Sequence, residues 1–364
     1  MNNTYFFPFE GEKHLGTIVL LPYRSDTWAS KGKRALKEYF EVVRSISKYE
    51  RVFLIHYSIE EGDLKPFKEL NNVTLLNIPY DDSWARDNTP LFLIDKDDNI
   101  LGVNFGFNSW GGSYDGLYTS YDNDNALSHN ILKALQIEEK ARKDFILEGG
   151  SVHFNGKGVL LTTEECLLSK GRNPSLNKDQ ITEVLKEELN VKKIIYLPYG
   201  IYNDETNGHI DNIACFLSEH DILLATSNNK NDPQYERSRI DEEILRKECD
   251  CENNKFNIYT LPVPDPYIYM TKEESERIDF APSAISRLEG RRLAASYVNF
   301  YLSDKFALIP QFGVKEDKIA YDFFKKYYKD RDIIPIYSKE ILLGGGNIHC
   351  ITKQIPYSKK YKGV

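Results

Sequence analysis

Residues 341–354 read ILLGGGNIHCITKQ, and the part of this stretch from 343 to 349, LGGGNIH, is echoed by LEGGSVH at residues 147–153. In both places an apolar run leads into consecutive glycines and then into polar side chains. Glycine permits backbone conformations and close approaches that other residues forbid. The repetition indicates that a strand followed by a polar or glycine-rich element recurs along the chain.

A second pair of segments repeats in the same way. Residues 78–80 (IPY) lead to Asp87 and Asn88, and residues 197–199 (LPY) lead to Asp211 and Asn212. The spacing between repeats is irregular, which argues against a regular solenoid. Repeats that each deliver a polar tip toward a shared centre favour a closed, pseudo-symmetric arrangement.

The hydrophobic pattern predicts the α/β class, because short apolar runs alternate with longer amphipathic stretches and no low-complexity linker divides them. The predicted strands cover residues 16–21, 52–56, 73–78, 194–197, 222–225 and 333–336, and the predicted helices cover 32–48, 125–135, 178–189, 241–247 and 317–328.

Composition excludes several classes of protein. The chain has 364 residues, of which 41% are hydrophobic and 28% charged, so wholesale disorder is ruled out. A formal net charge of -8 argues against a general binder of nucleic acid, and leaves room for a small cationic ligand. Five scattered cysteines do not form a disulfide scaffold. We recognise neither an export signal nor an apolar run long enough to span a membrane. We therefore expect a cytoplasmic protein without membrane partners.

Cys350 follows the three glycines, and this position makes it a candidate nucleophile. A cysteine on a tight loop can be presented to a substrate, whereas the commoner fate of a cysteine is to be buried and inert. The segment alone leaves both readings open.

His209 and Asp211 form a second candidate pair, in the stretch NGHIDN at residues 207–212. Strand alternation would put both side chains on one face. A histidine can move protons near neutral pH, and a carboxylate can orient the ring or bind a cation. The alternative is a hydrogen-bonded histidine at the end of a strand.

Two further carboxylates stand out. Asp87 lies in DSWARDNTP at residues 82–90, where it could bind a cation beside an aromatic wall formed by Trp84. Alternatively, Arg86 and Asp87 form only a local ion pair and Trp84 belongs to the core. Glu148 precedes two glycines, so a loop could present it to a pocket, although a solvated turn glutamate is the default.

Other motifs do not support a cofactor. Cys249 and Cys251 lack a second pair of zinc ligands, and His349 lacks partners at metal-ligand spacing. Neither a dinucleotide-binding nor a phosphate-binding glycine loop occurs. The lysine-rich residues 353–362 are most simply a solvated end. We therefore expect no metal and no organic cofactor.

Taken together, the segments resemble the agmatine deiminases of the peptidylarginine-deiminase-like, guanidine-modifying superfamily. The resemblance runs from about residue 16 to about residue 356. The stretches that carry it are 82–90 (DSWARDNTP), 108–112 (NSWGG), 147–152 (LEGGSV), 204–216 (DETNGHIDNIACF), 295–301 (ASYVNFY), 310–313 (PQFG) and 341–354 (ILLGGGNIHCITKQ).

The resemblance implies a five-bladed, pseudo-symmetric αβ propeller of the pentein type, with residues 1–364 forming one catalytic domain around a central channel. It implies that Cys350 is the nucleophile and His209 the general acid and base. Asp87 and Asp211 would hold the guanidinium, and Glu148 would support the histidine and the substrate. Trp84 and Trp110 are expected to contact the substrate. One departure is Thr89, where the family usually has glycine, so a differently shaped loop is expected after Asp87.

The residue types fit covalent chemistry on a guanidinium. Clustered carboxylates repel each other until a cation lies between them, and forked hydrogen bonds can fix the planar group against a sulfur. For agmatine the products would be N-carbamoylputrescine and ammonia, a step toward putrescine and the polyamines. Thiol activation could come from the bound substrate or from a preformed Cys350–His209 ion pair.

Alternatives to an agmatine deiminase remain at this point. An arginine deiminase would need a cation for the substrate carboxylate, and Arg86 or Arg172 could serve. A peptide-modifying deiminase and a non-catalytic propeller that binds guanidinium or polyamine ligands are the other candidates. The family implies a homodimer or a larger homo-oligomer.

Overall fold

The strands form five small sheets within residues 4–361 and 363, the part of the chain that the computed structural model describes. The strands are β1 (Tyr5–Phe6), β2 (His14–Leu20), β3 (Arg51–His56), β4 (Val73–Asn77), β5 (Leu91–Asp95), β6 (Ile100–Gly106), β7 (Glu138–Ile146), β8 (Val152–Phe154), β9 (Val159–Thr163), β10 (Lys193–Leu197), β11 (Ala214–Phe216), β12 (Asp221–Thr226), β13 (Asn257–Pro262), β14 (Tyr301–Leu302), β15 (Phe306–Gln311), β16 (Asp332–Tyr337) and β17 (Thr352–Pro356).

The helices lie between these strands, and several of them are only one turn long. They are α1 (Leu36–Ile46), α2 (Glu61–Lys68), α3 (Ala85–Asn88), α4 (Gly112–Asp115), α5 (Asp122–Leu135), α6 (Glu164–Leu167), α7 (Lys178–Leu189), α8 (Ile210–Ile213), α9 (Pro233–Leu245), α10 (Lys272–Ser275), α11 (Glu316–Tyr327) and α12 (Lys339–Gly344), with a 3₁₀ turn at Gly149–Ser151.

Each sheet repeats one topological unit. A short strand pairs antiparallel with the next strand, which pairs parallel with a third, as in β8, β9 and β10. Parallel neighbours need a crossover connection, and helices α1, α5, α7, α9 and α11 provide one in each unit. The last strand, β17, pairs antiparallel with β2, so the two ends of the chain share a blade. The predicted five-bladed α/β architecture is confirmed.

The crossover helices cover the sheets with apolar faces. In α1, Tyr39, Val42, Val43 and Ile46 are fully buried at helical spacing, and the helix packs on β3. Among the predicted helices only 241–247 is seriously misplaced, because α9 spans Pro233–Leu245. Asp232 caps that helix and Pro233 occupies its first turn, whereas its polar sequence gives a weak amphipathic signal.

A short segment with polar side chains precedes the first strand of each unit, and hydrogen bonds between the segments join them to one another. They are α3 before β5, the 3₁₀ turn before β8, α8 before β11, residues 296–300 before β14 and residues 345–351 before β17. The repeats therefore deliver polar tips to one place, as the irregular self-similarity predicts. Among the helices of the described residues, none is long and apolar enough to cross a membrane.

Candidate active site

The three glycines of the final motif each meet a separate steric demand. A β-carbon on Gly344 would lie 2.5 Å from the Trp28 ring, and one on Gly346 would lie 2.4 Å from the Trp84 ring. Gly345 has φ 114°, a left-handed conformation that ends helix α12. The backbone thus passes tightly against two stacked tryptophans before it reaches Cys350.

Cys350 is buried beside an asparagine and a carboxylate. Its Sγ lies 3.2 Å from Asn299 Nδ2 and 3.8 Å from Asp211 Oδ2. The side chain is 7% exposed, so the loop does not present it openly at the surface. Burial raises the pKa of the thiol well above its ordinary value, and the negative charges of Asp211 and Asp87 add to the increase.

Asp87 is held by two donors at the end of a buried one-turn helix. Its Oδ1 accepts from Gly150 N–H at 2.8 Å, and its Oδ2 accepts from Trp110 Nε1 at 2.9 Å. Burial raises its pKa, although His209, with Nδ1 3.8 Å from Oδ1, acts in the opposite direction. The alternative of a local Arg86–Asp87 pair is wrong, because Arg86 reaches Glu10 and Gln354 instead.

Thr89, which stands where the family usually has glycine, fits the loop after Asp87 without backbone strain. Thr89 has φ −107° and ψ 165°, an extended conformation that threonine adopts readily. Its hydroxyl donates to Ala85 O at 2.5 Å and closes the end of α3.

His209 and Asp211 do not lie on a strand, so the alternation argument is wrong. His209 immediately precedes the one-turn helix α8, which contains Asp211. Burial would lower the His209 pKa, but Asp87 and other nearby groups raise it well above the ordinary value. Within the described part of the chain, His209 Nε2 has no hydrogen-bond partner.

Glu148 is fully buried and paired with Arg172, so it is not a solvated turn residue. Arg172 Nε lies 2.8 Å from Glu148 Oε1, and both side chains are 0% exposed. Arg172 also donates to the carbonyl oxygens of Trp110 and Thr206. The guanidinium therefore ties the carboxylate to the segment that precedes His209.

A cleft leads to Cys350 between two tryptophans. The residues that line it include Trp84, Trp110, Asp87, His209 and Glu205. Two wider surface grooves, one near Arg24 and one near Tyr337, contain none of the predicted site residues. The predicted residues Cys350, His209, Glu148, Asp87, Asp211, Trp84 and Trp110 are thus all brought together, either lining this cleft or lying directly behind it.

Sequence reasoning missed several groups behind this cleft. Asn299 contacts Cys350, and the only available signal was its place in the ASYVNFY stretch. His349, set aside for lack of spaced partners, lies between Asp211 and Glu10 at 2.9 and 2.8 Å. Lys353 is 2% exposed and not part of a solvated end, and burial lowers its pKa well below the ordinary value.

Two buried clusters contain enough potential ligand atoms to be considered as metal sites: Glu148 with Cys166 and His209, and Glu10 with His153 and His349. In both, the carboxylate already has a cationic partner, Arg172 in the first and Arg86 in the second. We assign neither cluster to a metal, and the absence of a metal or cofactor stays a prediction.

Similar proteins share both the fold and the length of this chain. A structure of agmatine deiminase from Enterococcus faecalis superposes with a TM-score of 0.92 at 33% identity, covering 97% of this chain and 96% of that one. A cysteine-to-serine variant of agmatine deiminase from C. jejuni, solved with substrate bound, gives a TM-score of 0.82 at 28% identity over 100% and 98% of the two chains. A Selenomonas ruminantium protein, provisionally named agmatine deiminase, is 41% identical over 97% of this chain and 96% of its own length.

These similarities place the chain among the deiminases, a class of enzymes that act on guanidino groups. The Porphyromonas-type peptidyl-arginine deiminase family model matches residues 6–356. The chain belongs to that family.

Proposed function

We propose that the protein is an agmatine deiminase, which hydrolyses agmatine to N-carbamoylputrescine and ammonia. The observation that carries this proposal is the position of Cys350 Sγ, 3.8 Å from Asp211 Oδ2, in a cleft that also holds Asp87 and His209 between two tryptophans. Similarity to agmatine deiminases over nearly the whole chain supports the same activity.

The carboxylates provide the binding step. Asp87 and Asp211 accept hydrogen bonds from the planar guanidinium and hold its carbon against the sulfur of Cys350. Burial is the largest cause of the raised Asp87 pKa, and the negative charges of Asp211 and Glu148 raise it further. The three carboxylates therefore repel one another. A bound cation relieves that repulsion, so the carboxylate cluster favours a positively charged ligand.

The chemistry then proceeds in two halves. The Cys350 thiol gives its proton to solvent when the substrate cation binds, and the thiolate forms a C–S bond with the guanidinium carbon. The C–N bond then breaks as His209 gives its proton to the nitrogen that leaves as ammonia. His209 next takes a proton from water, whose oxygen attacks the amidino-thioether carbon. The C–S bond breaks as the proton of the new hydroxyl passes to the departing sulfur, so N-carbamoylputrescine leaves and the Cys350 thiol is restored.

Activation by the substrate is favoured over a preformed ion pair. Asp211 and Asp87 raise the thiol pKa, and the groups that raise the His209 pKa are Asp87, Cys166 and Glu148 rather than Cys350. A guanidinium between these carboxylates would cancel their effect and make the thiolate accessible near neutral pH. Cys350 therefore becomes nucleophilic when the correct cation is bound.

The charges of the cleft favour agmatine over arginine. Glu205 lies on the wall and is paired with Arg287 and Arg291, and the described wall residues include neither arginine nor lysine. Arg172 and Arg86, the two candidates for a carboxylate partner, are committed to Glu148 and to Glu10 with Gln354. A substrate α-carboxylate would thus find no unpaired arginine or lysine among the described wall residues, whereas an aliphatic amine needs none.

We place this activity in a single domain of residues 1–364, working in the cytoplasm in the synthesis of putrescine and polyamines from arginine. An assembly of two or more copies stays a prediction.

The test measures ammonia release from agmatine, free arginine and a peptide ending in arginine. We expect turnover of agmatine to exceed that of the other two by at least about 100-fold, because the carboxylate-bearing substrates lack a cationic partner. Cys350→Ala and Cys350→Ser should abolish turnover with the fold intact, whereas Cys251→Ala, at an exposed cysteine, should not change it. Retained activity in either Cys350 variant would overturn the mechanism, and a preference for arginine would overturn the substrate. Treatment with EDTA should leave the rate unchanged.

A further inference from the structure

We propose that His349 is a positioning residue: a buried imidazolium, fixed between Glu10 and Asp211, that holds Asp211 in its ionised form and orients it toward the guanidinium. The inference rests on the proposed function for its kinetic consequence, although the charge state of the ring can be tested without it.

Both ring nitrogens of His349 face carboxylate oxygens. Nδ1 lies 2.9 Å from Asp211 Oδ2, and Nε2 lies 2.8 Å from Glu10 Oε2. A neutral imidazole carries a proton on one nitrogen only, so its other lone pair would point at a carboxylate oxygen. A doubly protonated ring satisfies both contacts at once. All three side chains are at most 7% exposed, so bulk water has little access to them.

The surrounding charges agree with an imidazolium between two carboxylates. Burial would lower the His349 pKa and Arg86 acts in the same direction, but Glu10 and Asp211 raise it overall. Burial alone would raise the pKa of Glu10 and Asp211, yet His349 keeps both pKa values below their ordinary values. The charged and titratable groups around this set include the cationic or basic residues Arg86, His14, His153, His209 and Lys353, the acids Asp87 and Asp204, the thiols of Cys215 and Cys350, and the Tyr301 hydroxyl.

The neighbouring histidine is neutral and therefore does not compete for the two carboxylates. Burial lowers the His153 pKa to about 4, and its Nδ1 accepts a hydrogen bond from Phe216 N–H at 3.2 Å. The ring centroids of His153 and His349 are 6.0 Å apart. One protonated ring thus lies between Glu10 and Asp211.

Fixing one oxygen of Asp211 leaves the other for the substrate. Oδ2 is engaged by His349, whereas Oδ1 is buried without a hydrogen-bond partner among the described residues. An unpaired buried acceptor is costly unless a ligand satisfies it. His349 N–H and Cys350 N–H also both donate to Asn299 Oδ1, at 3.0 and 3.3 Å, so the same residue anchors the nucleophile's backbone.

The kinetic test compares His349→Leu with His349→Gln over a range of pH. Leucine removes both the donor and the charge, so burial raises the Asp211 pKa and the acid limb of kcat/KM should move to higher pH by about one unit or more. Glutamine can still donate to Asp211, so its limb should move less. KM for agmatine should rise in both variants. His56→Leu is the control, because His56 is a half-buried histidine at the end of strand β3 and does not line the cleft. It should leave the acid limb where it is in the native protein.

The second measurement does not depend on activity. Long-range ¹H–¹⁵N spectra, assigned by the loss of signal in His349→Gln, should show both ring nitrogens protonated from about pH 5.5 to 8.5. Glu10→Gln should make the ring titrate within this range. A His349 ring that is neutral at pH 7 in the native protein would overturn the inference, and so would an unmoved acid limb in His349→Leu. If native protein fails to deiminate agmatine, the proposed function fails while the spectra still decide the charge of His349.

Discussion

Replacing Gly150 with alanine adds one methyl group where three site side chains converge. The new β-carbon would lie 2.6 Å from His209 Nδ1, 2.8 Å from Asp87 Oδ1 and 2.9 Å from Asp211 Oδ2. Ordinary contact begins at 3.4 Å, so these groups must retreat by about 0.5 to 0.8 Å. The backbone at Gly150 is not left-handed, so alanine introduces crowding rather than dihedral strain.

A displacement of this size matters more for catalysis than for folding. A misplacement of about 1 Å in a catalytic constellation can lower the rate about 100-fold, which corresponds to about 2.7 kcal/mol of transition-state stabilisation. Overpacking a buried position typically lowers the free energy of unfolding by about 1–3 kcal/mol. We therefore expect kcat/KM of Gly150→Ala for agmatine to fall at least about 100-fold while the protein remains folded.

The assay pairs steady-state ammonia release with urea denaturation. Gly102→Ala is a matched control, because its β-carbon would meet the Leu132 side chain at 2.2 Å in the core of a blade. It should lose stability and keep its kcat/KM. If Gly150→Ala stays within about threefold of the native kcat/KM, the convergence of His209, Asp87 and Asp211 on this position does not govern the reaction.

Three other outcomes follow from burial and charge. Alkylation of Cys350 by neutral iodoacetamide, followed by mass spectrometry, should keep accelerating up to pH 9 because the thiol pKa is raised, whereas a plateau below pH 7 would indicate a preformed thiolate. Arg172→Leu should lower the free energy of unfolding in urea by about 3–5 kcal/mol, since it leaves Glu148 buried without its partner; a loss under about 1 kcal/mol contradicts this. Burial raises the Asp241 pKa from 3.8 to about 8, so the folded state binds the proton more tightly than the unfolded state and its stability falls as pH rises between these values. Asp241→Asn should therefore gain stability relative to the native protein from pH 4 to pH 8, and parallel curves would refute the linkage.

Much of the site was predictable because its residues come in local motifs. Asp87, His209 with Asp211, and Cys350 each lie in a short stretch that precedes the first strand of a unit. Two of the glycines before Cys350 are needed because a β-carbon there would lie only 2.4 to 2.5 Å from a tryptophan ring. Local sequence predicted the unit correctly but misjudged its conformation at His209, where a helical turn replaces the expected strand.

The chain's own sequence determined the residue types, the alternation of strands and helices and a partial, irregular repetition, whereas the number of five units was implied only by the family resemblance. The tertiary structure alone decided which ionisable and polar side chains contact one another in the site. His349 meets Glu10 across 339 residues and Asp211 across 138, and Asn299 meets Cys350 across 51. Such contacts have no period or spacing to reveal them, because they depend on how the blades close around one centre. Burial, which raises the pKa of Cys350 and makes its activation depend on a bound cation, is likewise a property of that closure.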